Sequence, residues 1–193
     1  MKIVIITSLP KSNFIKKISK NFHVEYLIIE QRKSFKYIIK YYFRRFSKKP
    51  VQTFLEIFYQ FYKIIYDFEF QKDVDMVKEN NTFFTLEINS KITEDIIIKK
   101  KPDIILLFGT SIIKKNIFNI PSFGTINIHT GINPKYRGGG NPWAFINDDV
   151  ENIGYTIHFV NAGIDTGQII RRETLPIPHN VKSLLGYRSY CTD

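Results

Sequence analysis

Lys2-Ile3-Val4-Ile5-Ile6, the segment Ser12 to Asn21, and Val24-Glu25-Tyr26-Leu27-Ile28-Ile29 form the stretch that decides the fold. The first piece is an unbroken apolar run without polar alternation, the pattern of a strand buried on both faces. In the second, Phe14, Ile15 and Ile18 recur at helical spacing behind Ser12 or Asn13, both suited to cap a helix. Val24 to Ile29 reads as a second strand. Strand, helix and strand in this order predict a parallel sheet flanked by helices, an α/β fold.

Further along, the alternation is interrupted and then resumes. Phe35, Ile38, Ile39, Tyr42, Phe43 and Phe46 follow one helical stripe, and Phe54, Ile57, Phe58, Phe61, Ile64 and Ile65 follow another. Pro50 separates them, because the residue before a proline is pushed out of helical geometry. The expectation is a helical pair inserted at about residues 34 to 70. Thr82 to Leu86 then reads as a strand, Lys91 to Lys99 as a helix, and Asp103 to Phe108 as another buried strand. Thr125 to Ile128 is strand-like, and Pro142 to Ile146 opens a helix, proline being suited to a first turn. Tyr155 to Val160 and Gln168 to Ile177 are strand-like. Residues 1 to 178 are expected to form one catalytic domain and 179 to 193 a C-terminal tail. No repeat, low-complexity segment or interdomain linker is visible.

A chain of 193 residues, 44% hydrophobic and 24% charged, is long enough to bury one core and short for two. The single cysteine, Cys191, excludes an internal disulfide and fits a reducing compartment. No stretch resembles a secretory signal, and none approaches the roughly 20 apolar residues of a membrane span. A cytoplasmic location is the default expectation. The formal net charge of +10 favours an anionic partner: nucleic acid, an anionic membrane surface or a phosphorylated small molecule. Much of the excess lies between Gln31 and Pro50, where no acidic residue occurs.

The chemistry concentrates in Asn127-Ile128-His129, Tyr136-Arg137-Gly138 and Gly163-Ile164-Asp165-Thr166-Gly167. Asn127 and His129 stand two apart on an extended segment, so their side chains share a face. If that strand is parallel and ends there, both reach the carboxyl edge, where ligands of open α/β sheets usually bind. Asp165, between two glycines, can close the site from a neighbouring connection. An amide, an imidazole and a carboxylate can polarise a carbonyl, stabilise an oxyanion and move a proton. The bland alternative makes Asn127 a turn residue, His129 a strand-end histidine and Asp165 an Asx-turn residue.

Thr125-Ile126-Asn127-Ile128-His129, Pro134-Lys135-Tyr136-Arg137-Gly138-Gly139-Gly140, Gly154-Tyr155-Thr156-Ile157-His158-Phe159 and Gly163-Ile164-Asp165-Thr166-Gly167-Gln168-Ile169-Ile170 together resemble the formyltetrahydrofolate-dependent formyltransferases. The resemblance covers about residues 102 to 178 with order and spacing preserved, which is far more specific than a lone Asn-x-His. It implies a Rossmann-like formyltransferase fold, formyl-tetrahydrofolate as donor, and a catalytic trio on Asn127, His129 and Asp165. It also implies a pterin pocket near Phe108, Gly109, Thr110 and Ile112, alongside Gly163. Acceptor contacts are expected from Tyr136, Arg137 and Gly138.

Three branches of that family differ in acceptor. The methionyl-tRNA formyltransferases carry a second, C-terminal domain, for which 193 residues leave no room. The phosphoribosylglycinamide formyltransferases have a glycine-rich phosphate loop after their first strand, where this chain reads Thr7-Ser8-Leu9-Pro10-Lys11-Ser12-Asn13. The inserted helical pair and the wording at Tyr136 to Gly140 look most like the sugar N-formyltransferases. That likeness implies a dTDP- or UDP-linked amino deoxysugar as acceptor and a place in polysaccharide biosynthesis such as O-antigen assembly. The chain departs from the pattern at Thr130-Gly131. It also ends at Asp193, where such enzymes continue through a further helix, so a truncated tail is expected.

Other readings stand beside this one. The basic aromatic segment from Arg32 to Lys49 is compatible with a non-enzymatic nucleic-acid- or membrane-binding module, although its apolar periodicity favours an amphipathic helix with no nucleic acid bound. His158 is read as a structural histidine in preference to a site residue. Arg137 is either an anchor for the glycine loop and acceptor phosphate or a surface ion-pair partner. No Cys/His/Asp spacing suits a metal, and none is expected. A homodimer is the ordinary expectation for an exposed apolar helical face.

Overall fold

The computed structural model describes residues 1–8, 12–31 and 81–176. The expected helical insertion, the basic segment and the expected C-terminal tail lie outside the described residues. The decisive N-terminal stretch folds as its sequence predicts: β1 (Ile3–Thr7), α1 (Ser12–Asn21) and β2 (Val24–Glu30). Then follow β3 (Thr82–Thr85), α2 (Lys91–Lys100), β4 (Ile104–Phe108), α3 (Lys115–Phe118), β5 (Thr125–His129), α4 (Asn141–Ile146), a single 3₁₀ turn (Val150–Asn152), β6 (Gly154–Phe159) and β7 (Ile169–Thr174). Neither α3 nor the 3₁₀ turn is visible in the sequence, because three or four residues are too few to display a period.

Among the described residues the strands make one seven-stranded sheet in the order β3-β2-β1-β4-β5-β6-β7. Pairings from β3 to β5 are all parallel, whereas β6 is antiparallel to both β5 and β7. Strand order reverses direction between β1 and β4, which opens a crevice at the carboxyl ends of those strands. There the Thr7 hydroxyl donates to the Phe108 carbonyl at 2.7 Å, and the Ser8 hydroxyl donates to the Gly109 carbonyl.

The apolar runs bury both sheet faces. Val4, Ile6, Ile28, Ile105 and Leu107 pack with Ile97 of α2 and Ile117 of α3 on one side. Ile3, Ile5, Leu27 and Ile29 pack with Ile15 of α1 on the other. Each such isoleucine contributes about 1.5–3 kcal/mol by burial. The α2 helix shows how local sequence fixes its ends: the Ser90 side chain accepts from the Thr93 amide, Glu94 sits in the first turn, and Lys99 and Lys100 sit in the last. Lys101 closes it at φ 49°, donating its N–H to the carbonyls of Ile97 and Ile98.

Candidate active site

The strand β5 runs parallel to β4 and ends at His129, so Asn127 and His129 arrive on one face at the carboxyl edge. The antiparallel strand β6 places His158 directly opposite Asn127 and Thr156 opposite His129. Beyond β6 the chain turns through Gly163–Gly167 and brings Asp165 back over both. A cavity of about 580 Å³ opens here, and its wall includes Asn127, His129, His158 and Asp165.

Asp165 is the hub of the cluster. Its Oδ1 accepts from Asn127 Nδ2 at 3.1 Å and lies 3.3 Å from His158 Nε2. Its Oδ2 accepts from the Gly138 amide at 2.8 Å and lies 3.3 Å from His129 Nδ1. The backbone holds this posture at φ 49°, in the left-handed region that an aspartate tolerates better than most side chains. The Asn133 side chain supports it, Nδ2 donating to the Asp165 carbonyl at 3.0 Å.

Both histidines are buried. His129 Nε2 lies 2.7 Å from the Tyr136 carbonyl, which can only accept, so that nitrogen carries a hydrogen. His158 Nδ1 lies 2.8 Å from the Phe159 carbonyl and is a donor for the same reason. Burial alone would push the His158 imidazole down. The Asp165 carboxylate and the Phe159 carbonyl together outweigh it and hold the ring above its ordinary value. Burial likewise works to raise Asp165, but His158, the Gly138 amide and the charge of His129 hold the carboxyl below its usual range.

The glycine loop is shaped by close approach. A Cβ on Gly140, at φ 66°, would stand 2.0 Å from the Thr130 carbonyl oxygen. One on Gly131 would stand 2.7 Å from His129 Nε2. Asn141 locks the loop to β6: its amide exchanges both hydrogen bonds with Gly154, Nδ2 donating at 2.6 Å and Oδ1 accepting at 2.9 Å.

Other predicted site residues divide. Phe108, Gly109, Thr110, Ile112, Gly163 and Gly138 all line the cavity. The Tyr136 side chain does not line it: it is buried, and its hydroxyl donates to Asp149 Oδ2 at 2.6 Å. An aromatic ring beside glycines reads as ligand-facing in sequence, but here it anchors the loop from beneath. Asp149 also takes Asn152 and Lys135, and Asn152, Lys135 and Tyr136 lower its carboxyl to about 2. Arg137 is exposed outside the cavity wall, with its charge near enough to oppose that of His158.

His158 is the cluster member that the sequence reading put on the structural side. A lone histidine in a strand carries no signal of its own. The signal lies in pairing: antiparallel alignment of Thr125–His129 with Gly154–Phe159 puts it across from Asn127.

A model of the formyl transferase family matches residues 68–184. Methionyl-tRNA formyltransferase of Syntrophomonas wolfei subsp. wolfei is 34% identical over 112 residues, covering 54% of this chain and 36% of the relative. The bifunctional polymyxin resistance protein ArnA of Wigglesworthia glossinidia brevipalpis is 33% identical over 111 residues, covering 56% and 17% respectively. The chain spans about a third of the methionyl-tRNA formyltransferases it matches, 36%, 31% and 28% in three cases. Its length therefore does not set that branch apart, contrary to the expectation from sequence. Among solved structures, phosphoribosylglycinamide formyltransferase from Streptococcus pneumoniae TIGR4 superposes with a TM-score of 0.61 at 19% identity, covering 98% of this chain and 94% of that one. A sugar N-formyltransferase from Shewanella sp FDAARGOS_354 gives 0.52 at 20% identity, covering 92% and 58%. These likenesses show a shared fold. With the sequence match over more than half of its residues and the matching sheet, the chain belongs to the formyl transferase family.

Proposed function

We propose that this protein moves a formyl group from formyl-tetrahydrofolate to the primary amine of an amino deoxysugar carried on a nucleoside diphosphate. The observation that carries the transfer chemistry is the convergence of Asn127, His129 and Asp165 on one cavity at the carboxyl edge of the sheet. The donor fits the wall that is present. Gly109–Ile113 and Ala162–Ile164 offer backbone groups and apolar side chains, as a flat heteroaromatic ligand requires.

The bound donor supplies an activated formyl carbon. This chain's residues then act on what develops around it. Asn127 Nδ2 has two hydrogens and gives one to Asp165, leaving the other for the formyl oxygen as negative charge grows there. His158 governs that second hydrogen. A neutral ring presents Nε2 as an acceptor 3.3 Å from Asn127 Nδ2, whereas a protonated ring turns the same atom into a donor to Asp165. His129 is held by Asp165 at Nδ1 and by the Tyr136 carbonyl at Nε2, so it reaches the same oxygen by releasing one of those partners when substrate binds. The attacking nitrogen becomes cationic as its bond to carbon forms. Asp165 takes the surplus proton directly or through water, and the donor nitrogen receives that proton as its bond to the formyl carbon breaks, so the carboxylate is restored.

Support for the sugar nucleotide comes from the net charge of +10, the run Tyr136-Arg137-Gly138-Gly139-Gly140, and the fold shared with a sugar N-formyltransferase. The sequence likeness to methionyl-tRNA formyltransferases favours a second reading, in which the acceptor is an aminoacyl-tRNA. Incubating the protein with formyl-tetrahydrofolate and dTDP- or UDP-linked 3- and 4-amino deoxysugars, glycinamide ribonucleotide or methionyl-tRNA distinguishes them by mass spectrometry of the product. Formylated sugar nucleotide is expected. Turnover of either other acceptor with no sugar accepted overturns the acceptor assignment, and no turnover of any overturns the activity.

A further inference from the structure

The loop from Gly109 to Lys114 joins β4 to α3 and forms one wall of the cavity through Gly109, Thr110, Ser111, Ile112 and Ile113. Gly109 turns it at φ 62° and Ile112 stands 69% exposed, so among its apolar side chains Ile113 alone seats it in the core. Its polar tethers come from side chains elsewhere. At the carboxyl end of β2, Glu30 accepts the Ser111 amide on Oε2 at 2.8 Å and the Ser111 hydroxyl on Oε1. In the turn before α2, Asn89 donates Nδ2 to the Ile112 carbonyl at 2.8 Å and accepts the Lys114 amide on Oδ1 at 2.7 Å. Consecutive stretches of the loop are thus gripped by two residues, each through both of its side-chain polar atoms.

We infer that Glu30 and Asn89 are positioning residues that set the donor wall of the site. This rests on the proposed use of the cavity by a formyl-tetrahydrofolate. Neither residue lines the cavity, and neither can touch the reacting atoms. Their effect is to fix where the backbone groups of Thr110 to Ile113 stand. Ser8 holds the loop at Gly109 and the core holds it at Ile113, so losing a clamp frees chiefly Thr110 to Ile112, and that freedom is then lost only when ligand binds. Both grips start from rigid places: Glu30 ends a strand whose neighbour Ile29 is buried, and Asn89 lies between buried Ile88 and the cap residue Ser90. The wall with Gly138, Gly139, Asn141 and Pro142, which the proposed function gives to the acceptor, is tied to β6 through Asn141 and does not depend on either clamp. Donor and acceptor affinities therefore separate.

The test uses the full chain with 5-formyl-tetrahydrofolate as an unreactive donor probe, together with steady-state KM values for both substrates. Glu30→Gln, Glu30→Ala, Asn89→Asp and Asn89→Ala are compared with the parent. Each alanine variant is expected to weaken probe binding and raise donor KM about tenfold, the effect of one or two lost hydrogen bonds. kcat and acceptor KM should stay within about twofold, which general misfolding would not spare. Glu30→Gln and Asn89→Asp each keep a side-chain acceptor for one loop amide and should fall between parent and alanine. Pairing Glu30→Ala with Ser111→Ala should give less than the sum of the two losses, since both remove one contact. Probe affinity unchanged in folded alanine variants, or equal changes in donor and acceptor KM, overturns the clamp. A parent protein that binds no probe overturns the use of the cavity by a folate, and the clamp's role falls with it.

Discussion

At the scale of the residue, the site is a carboxylate that meets four nitrogens, of which those of Asn127 and Gly138 donate whatever the charge of the two histidines. Replacing Asn127, His129 or Asp165 separately with alanine should lower turnover by about a hundredfold to ten-thousandfold with the circular dichroism spectrum retained. Near-normal turnover in any one removes that residue from the mechanism. The charge states give a second expectation. His158 is held above its ordinary 6.5, so the stability it contributes is complete below that value and is lost as pH rises through the raised one. Asp165 is held below its ordinary 3.8, so its contribution is present above that value and is lost as pH falls through the lowered one. Between those limits both operate. Thermal melting should fall on the alkaline side in the parent and flatten in His158→Gln. An identical alkaline decline in both would remove His158 as its source. Sequence alone exposes Asn127, His129 and Asp165 because their types and spacing carry chemistry. It leaves His158 on the structural side and does not show that the Tyr136 ring turns to Asp149, because which way an isolated ring points depends on partners far along the chain.

At the scale of the element, the strands are legible because burial on both faces leaves apolar runs such as Ile3-Val4-Ile5-Ile6, and Lys91 to Lys99 reads as a helix whose ends the structure closes with Ser90 and Lys101. The connections are not legible, since their shape comes from contacts such as Asn141 with Gly154 that have no local signature. Those contacts carry measurable energy. Asn141→Ala leaves the buried Gly154 amide and carbonyl without partners and should cost about 3 kcal/mol in denaturant unfolding. Gly140→Ala forces both a left-handed alanine and a clash with the Thr130 carbonyl, and should destabilise by about 2 kcal/mol or more while depressing activity. Parent-like stability in either variant would mean that the loop finds another path.

At the scale of the molecule, the net charge of +10 should act on encounter more than on the fold. Raising the salt from about 0.05 to 0.5 M is expected to increase the KM of a phosphate-bearing acceptor several-fold while kcat holds, because screening shortens the reach of the field. A salt-independent KM would separate the charge from acceptor capture. The sheet has one further consequence. Asn127 meets His158 only where β5 pairs with β6, 31 positions apart in the chain, and a slip of a single residue would turn His158 to the opposite face. Under the proposed function, turnover therefore doubles as a sensor of strand register. During refolding, helical signal that returns ahead of activity would mark the interval in which the chain is compact but β5 and β6 have yet to find each other.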